Sequence, residues 1–355
     1  MLCIVICEEE NVVENIKEKS TESNYKLIDL LKLICAFLVI GIHTRPFQAS
    51  SNLLDKLFYY DISNYAVPFF YACTGYFVVI KSSEENLHVD LILRCKKIIR
   101  IYLMWSVIYL PLTVSGWVIE GGLNPIYLIF CLRNFVFVGE NFYSWTLWYL
   151  NGLIFALLLI GVLLKSFSIK QISRISLVAY LVGIGLTILG GHLESLPLFL
   201  AKPVDMYFSL FTTTRNGLFQ SFVFLSFGML MAEIDRADEM KLSVKNGLFA
   251  GILYIVKVGF SLIGGGQYFS EILDLPTFWF LFKLIIYACN RLNFKGAFYI
   301  QLRGMSETIY FVHMYFVAFC SLVLYKEGYH NFKSYFICAG GATIIALIYQ
   351  MAKKR

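Results

Sequence analysis

Charge is scarce in this chain: Asp, Glu, Lys and Arg make up only 15% of its 355 residues, against 58% hydrophobic. A soluble domain needs far more polar surface, so the deficit excludes an ordinary water-soluble fold. Metal-binding and redox cysteine patterns are missing as well. None of the nine Cys forms a Cys-x-x-Cys pair or takes a zinc-like spacing with His. Cys35, Cys73, Cys289, Cys320 and Cys338 lie inside apolar runs, where they read as small core residues. No metal site is therefore expected. There is no basic stripe interleaved with aromatics, so the net charge of +6 implies no nucleic-acid partner. The start of the chain lacks the marks of a cleavable signal: Met1 to Cys7 is apolar but short, has no basic lead, and runs into Glu8, Glu9 and Glu10. Residues 1–26 read as a polar cytoplasmic tail with a short helix around Val12–Ile16.

What the chain does have is apolar length. Mean hydropathy is +0.68. Apolar runs fall at 27–44, 64–80, 98–119, 147–164, 172–190, 217–233, 244–263, 270–289, 306–325 and 334–351. About 20 residues of helix cross about 30 Å of hydrocarbon, so the expected fold is all-α, a polytopic integral membrane protein of about ten transmembrane helices. A shorter run at 126–138, interrupted by Arg133, reads as a re-entrant or interfacial piece. With both termini placed in the cytoplasm, the inner segments hold 20 Lys and Arg and the outer ones 7, a bias that alternates loop by loop. The basic end, 352–355, then lies inside. The long outer loops, 120–146 and 191–216, carry aromatics suited to the membrane interface, among them Trp117, Trp145, Trp148 and Tyr207; Trp148 and Tyr149 read as interface anchors. Lys257 and Lys283 lie within about 10 Å of a span end, near enough to snorkel. Gly264, Gly265 and Gly266 read as a turn, and Gly75 as a place of close helix approach.

The first span, LIDLLKLICAFLVIGIHTRPF, carries Asp29, Lys32 and His43. Lys32 and His43 are eleven residues apart. At 100° per residue that comes within about 20° of three full turns, so both lie on one face, about 16 Å apart along the axis. Asp29 is three residues from Lys32 and within pairing reach. Ionisable groups at depth usually face a bundle interior. On that reading Lys32 holds an anionic ligand and His43 acts as a general base. On the other, Lys32 snorkels to headgroups and His43 caps the helix at the interface.

The string DLLKLICAFLVIGIH resembles the first-helix motif of acyltransferase family 3, the integral-membrane acyltransferases: an Asp, a basic residue three positions on, and a His eleven further. VPFFYACTGYF at 67–77 resembles the family's second-helix pattern, with Thr74 in the place of Ser. RCKKIIRIY at 94–102 and LWYLNGLIFALLL at 147–159 resemble later landmarks, and MSETIYFVHMYF at 305–316 resembles the late Tyr-x-x-His helix, giving Tyr310 and His313. Within the family, TTTRNGLFQSFVFLSFGML at 212–230 is similar to the membrane domains of vancomycin-resistance serine racemases. After Ile348 the sequence closes on YQMAKKR, so racemisation by a pyridoxal route is not expected. The family's first-helix cation is usually Arg. Lys32 keeps the charge but not the planar fork.

The resemblance covers 26–351, and so implies one acyltransferase membrane domain over 27–351. It implies transfer of an acyl group, most often acetyl, from acyl-CoA to a hydroxyl of a cell-surface glycan or glycolipid, with no resident cofactor. His43 would be the catalytic base. Lys32, Arg94, Lys97 and Arg100 would hold the donor's phosphates, and Asp29, Tyr76, Arg215, Asn216, Tyr310 and His313 would support the site. Tyr76, Arg215 and Asn216 are candidate oxyanion donors. The expected surroundings are the plasma membrane, multi-pass, of a bacterium, with the lipid bilayer, the donor and a glycan or lipid-linked acceptor as partners. The alternative is a non-catalytic transporter of a small amino acid such as serine.

Overall fold

The computed structural model describes residues 25–237, 244–263, 267–292 and 298–353. Most of the tail expected at 1–26, its short helix at 12–16, and the turn expected at Gly264–Gly266 lie outside these residues. The described residues form helices joined by turns and irregular segments, with no strand among them. In chain order the helices are α1 (Lys26–Thr44), α2 (Asn52–Lys56), α3 (Ala66–Lys81), α4 (Leu87–Ile108), α5 (Leu110–Ile119), α6 (Pro125–Arg133) and α7 (Leu147–Leu163). There follow α8 (Ile169–Gly190), α9 (Leu198–Phe211), α10 (Gln220–Arg236), α11 (Val244–Leu262), α12 (Gln267–Arg291), α13 (Phe298–Phe319) and α14 (Phe332–Lys353).

Among the described residues five helices are long and apolar enough to cross a membrane: α1, α8, most of α12, 301–324 and α14. The pair α4 and α5, bent by 49° at Tyr109, makes a sixth if it is one span. The other expected runs do form helices, but α3 has 16 residues and α7 and α10 have 17 each. Part of the shortfall in the second run is physical: residues 57–65, before α3, wind as a wide turn and a tight one rather than continuing the helix. The loop expected at 191–216 is mostly helix, α9, with Pro203 inside it. The short run at 126–138 is α6, started by the Asn124 side chain accepting from Ile126 N at 2.9 Å, and a wide turn beyond it.

The outward faces are greasy. Val107 is 69% exposed and Ile255 70%, as expected of side chains that meet hydrocarbon rather than water. The interior is built where small residues let helices meet. A Cβ on Gly75 of α3 would stand 3.0 Å from the Leu225 carbonyl carbon of α10, and one on Gly228 of α10 would stand 2.7 Å from that of Ala72. The two backbones are thus in mutual contact, as small residues permit in membrane bundles. Arg236, at the end of α10, donates to the carbonyls of Val79, Ile80 and Ser82 and so satisfies the frayed end of α3.

Helices α1 and α13 pack side by side and run in the same direction. Near their N-terminal ends Asp29 pairs with Arg303: Nε to Oδ1 at 3.0 Å and Nη2 to Oδ2 at 3.3 Å. Near their C-terminal ends His43 meets His313. Asp29 therefore pairs across helices and not with Lys32, the neighbour that spacing suggests. The two-pronged fit of a guanidinium to a carboxylate outcompetes a single ammonium on the same helix.

Candidate active site

His43 occupies the last turn of α1. The helix stops just beyond it because Arg45 turns left-handed (φ 38°), its N–H reaching back to Gly41 O at 2.9 Å. Arg45 is held by an ion pair with the buried Asp55. The His43 ring stacks on Trp145 at 5.7 Å and lies 5.5 Å from the His313 ring. His313 is fully buried. Its Nδ1 lies 3.0 Å from Ile309 O, and its Nε2 has no partner among the described residues. A carbonyl facing Nδ1 assigns the proton there, which leaves Nε2 with a free lone pair.

A cavity of about 500 Å³ opens here. His43, Arg45, Glu140, Trp145, Arg215, Tyr310 and His330 line it. Tyr310 donates to Thr146 O at 3.1 Å and packs edge-on against Tyr149. Burial pushes the Glu140 carboxyl up to about 7, against the opposing pull of Arg215. Burial and the neighbouring Arg45 push the His330 imidazole below its ordinary value, with Asp55 opposing. The arrangement joins the His43 ring, a guanidinium and a carboxyl near neutrality around one space, with the buried His313 imidazole behind the His43 ring. Such a set can accept a proton from a hydroxyl and stabilise developing negative charge.

Of the residues singled out by sequence, His43, Arg215, Tyr310 and His313 come together. Asn216 does not line this space. Its Oδ1 accepts from Leu218 N at 3.0 Å, and its Nδ2 donates to Tyr207 Oη at 2.7 Å and Thr213 O at 3.0 Å. These bonds shape the turn into α10 and engage both ends of the Asn216 amide away from the cavity. Tyr76 lies farther away still. It donates to Asp235 Oδ2 at 2.5 Å and meets Tyr25 Oη at 3.2 Å, at the opposite end of α1 from His43. Eighteen residues of helix, about 27 Å, separate those ends. Lys32 is half-buried, with its ammonium 5.3 Å from the Phe77 ring, and does not line the cavity. Arg94 is half-buried on α4, while Lys97 and Arg100 are exposed there; none lines the cavity either.

Sequence reasoning missed Glu140, Arg45 and His330, all in connecting segments with no periodic pattern around them. Trp145 and Trp148, expected at the membrane interface, line the cavity, and Tyr149 is packed between Tyr71 and Tyr310. Lys257 does not snorkel: it is fully buried against two carboxylates.

A family described as an acyltransferase domain matches residues 25–351. An amino-acid racemase of Enterococcus faecalis is 34% identical over 214 residues, which are 59% of this chain and 29% of that protein. A serine/alanine racemase of Enterococcus gallinarum is 28% identical over 305 residues, 82% of this chain and 41% of that protein. The chain thus spans less than half the length of these relatives. No solved structure matches it.

Proposed function

This chain belongs to the acyltransferase-domain family, and on that footing we propose that it is a membrane-embedded O-acyltransferase with His43 as its general base. The observation that carries the reading is the meeting of His43 with His313 beside a cavity that also holds Arg215 and Glu140. The donor is an acyl-CoA, with acetyl the simplest case. The acceptor is a hydroxyl of a cell-surface glycan or glycolipid. The chain sits in a bacterial plasma membrane with about ten spans and both ends inside, which puts the His43 end of α1 on the outer side.

The hydroxyl oxygen attacks the thioester carbonyl while His43 takes its proton. Arg215 faces the tetrahedral oxyanion. Collapse breaks the carbon–sulfur bond, and the departing thiolate takes the proton from the imidazolium. Atoms and charge balance without a cofactor. A base of this kind contributes about 10²–10⁴ in rate. Lys32, Arg94, Lys97 and Arg100 lie away from the cavity, where they offer positive charge to the donor's phosphates.

A second reading, passage of a small amino acid such as serine without chemistry, draws on the printed names of the relatives, which are racemases. One comparison separates the two. Envelope glycans from cells with and without the gene are assayed for a base-labile ester, alongside uptake of labelled serine. Acyl transfer predicts an ester that disappears with the gene and is not restored by His43→Ala. An unchanged ester with altered uptake favours transport.

A further inference from the structure

Two sets of buried polar groups have no part in the proposed chemistry, and one asparagine joins them. The first is a sealed ion cluster. Lys257 on α11 and Asp61 in the wide turn 57–62 are fully buried, and Asp274 on α12 is 6% exposed. The Lys257 ammonium lies 2.9 Å from Asp61 Oδ1 and 3.0 Å from Asp274 Oδ1. Asp61 Oδ2 accepts from Ser261 Oγ at 2.8 Å, and Asp274 Oδ2 accepts from Asn64 Nδ2 at 2.8 Å. The second set belongs to the wall of the His43 cavity, where Ser63, Asn64 and Gln220 stand among the lining residues. Ser63 is fully buried, and its Oγ has no partner among the described residues; nor has the buried Gln220 Oε1.

Asn64 belongs to both sets. The two ends of an amide have nearly the same shape, so a partner must choose between them. A carboxylate beside an ammonium only accepts. Asp274 therefore holds Nδ2 of Asn64 toward the cluster. The other end, Oδ1, accepts from no group among the described residues and is left to serve the cavity. The wall thus carries three unengaged oxygens, two amide carbonyls and one hydroxyl. Buried polar atoms without partners are costly, and a ligand with several O–H donors relieves that cost. Trp148 lines the same space. A few fixed polar groups beside an aromatic ring are the usual make-up of a pocket for a small ring-shaped ligand. The three oxygens are neutral, so they read hydroxyls rather than a charged group.

We propose that Ser63, Asn64 and Gln220 form the subsite that reads the hydroxyls of a neutral sugar ring, and that Lys257 and Asp274 are positioning residues that act through the Asn64 amide. One sugar hydroxyl is presented to His43, and its neighbours donate to the wall. The inference rests on the acyl-transfer reading for the fate of the bound sugar, and deepens it by naming what selects the acceptor. It also gives the sealed cation a role. Ionisable groups at such depth are expensive, and here the ammonium keeps beside Asn64 a carboxylate that allows its amide only one orientation.

The test is saturation-transfer NMR of the full chain in lipid nanodiscs, with no acyl donor present. The probes are the methyl glycosides of glucose, galactose and N-acetylglucosamine, together with their monodeoxy forms. One glycoside is expected to bind, and loss of one of its hydroxyls to weaken it about tenfold, the scale of a single hydrogen bond. That preference should vanish in Asn64→Leu and shrink in Asp274→Asn, where the amide of residue 64 is free to turn. Gly185→Ala, in open space, should keep it. If Asp274→Asn fails to fold, Ser63→Ala and Gln220→Leu give the reading, since they alter the wall alone. No bound glycoside, or a preference unchanged in Ser63→Ala, Asn64→Leu and Gln220→Leu, overturns the proposal. So does binding of labelled serine, in place of a sugar, that depends on Asn64. A preference that survives in folded Asp274→Asn overturns the role given to Lys257 and Asp274. A lipid bearing the same sugar that displaces the glycoside supports a lipid-borne acceptor; failure to displace it supports a free glycan. Binding is read without acyl-CoA, so a chain that selects sugars but transfers no acetyl group contradicts the acyl-transfer reading alone.

Discussion

The imidazoles of His43 and His313 lie 5.5 Å apart, on two helices that run the same way, and the fully buried His313 Nε2 has no partner among the described residues. The second ring is thus placed to steady a proton or a polar ligand beside the first. His313→Phe keeps the ring volume and removes the lone pair. It is expected to lower acyl transfer by about tenfold to a hundredfold while leaving thermal unfolding nearly unchanged, on the general scale of acid–base assistance. A loss of folding without a specific loss of rate would assign His313 to packing.

Glu140 gives the site a pH signature. Its carboxyl is pushed from 4.5 up to about 7 by burial. The folded chain therefore binds a proton that the unfolded chain has already released between those values. Stability at this residue is full below about 4.5, falls as pH rises toward 7, and is flat above. Thermal unfolding followed from pH 4.5 to 8 is expected to show this decline in the wild type and a shallower one in Glu140→Gln. Equal slopes would mean that Glu140 is ionised throughout.

The pair between Asp29 and Arg303 locks α1 to α13 at the end away from the cavity. Asp29 is 4% exposed, whereas the Arg303 side chain is 44% exposed, which screens the pair. Arg303→Met leaves a buried carboxylate short of its partner and is expected to cost about 1–3 kcal/mol. Adding Asp29→Asn should recover part of that loss. Guanidinium denaturation of the single and double variants in detergent measures it.

At Gly75 the backbone of α10 leaves no room for a methyl group. Gly75→Ala is expected to destabilise the contact between α3 and α10 by about 1–3 kcal/mol, while Gly185→Ala, in open space, changes little. Similar unfolding temperatures for the two variants would show that α10 shifts freely.

Topology is open to a direct labelling test. Leu53→Cys and Ser83→Cys place thiols on exposed positions beyond the opposite ends of α1 and α3. An impermeant thiol reagent applied to intact cells is expected to label the first and spare the second. The reverse pattern would invert the orientation.

Much of the site was legible because helical periodicity carries it. The Tyr-x-x-His spacing put Tyr310 and His313 on one face of α13, whereas the shared face expected of Lys32 and His43 did not bring both to one chamber: His43 lines the cavity and Lys32 does not. What escaped were groups whose partners are far off in sequence. A lysine five residues from a helix end reads as a snorkelling side chain, yet Lys257 pairs with Asp61, 196 residues away in an irregular turn. Glu140 lies in a connecting segment where no period operates. Tyr76 lies away from the cavity because a family-like string gives order along the chain but not which end of a span a residue occupies.

The account rests most directly on His43 as the group that takes the acceptor's proton. Membrane vesicles that retain the native acceptor, supplied with labelled acetyl-CoA, measure that step. Wild-type vesicles should gain label in a base-labile ester, and His43→Ala vesicles with equal amounts of folded protein should gain about 10²–10⁴-fold less. Undiminished labelling in His43→Ala would contradict the account.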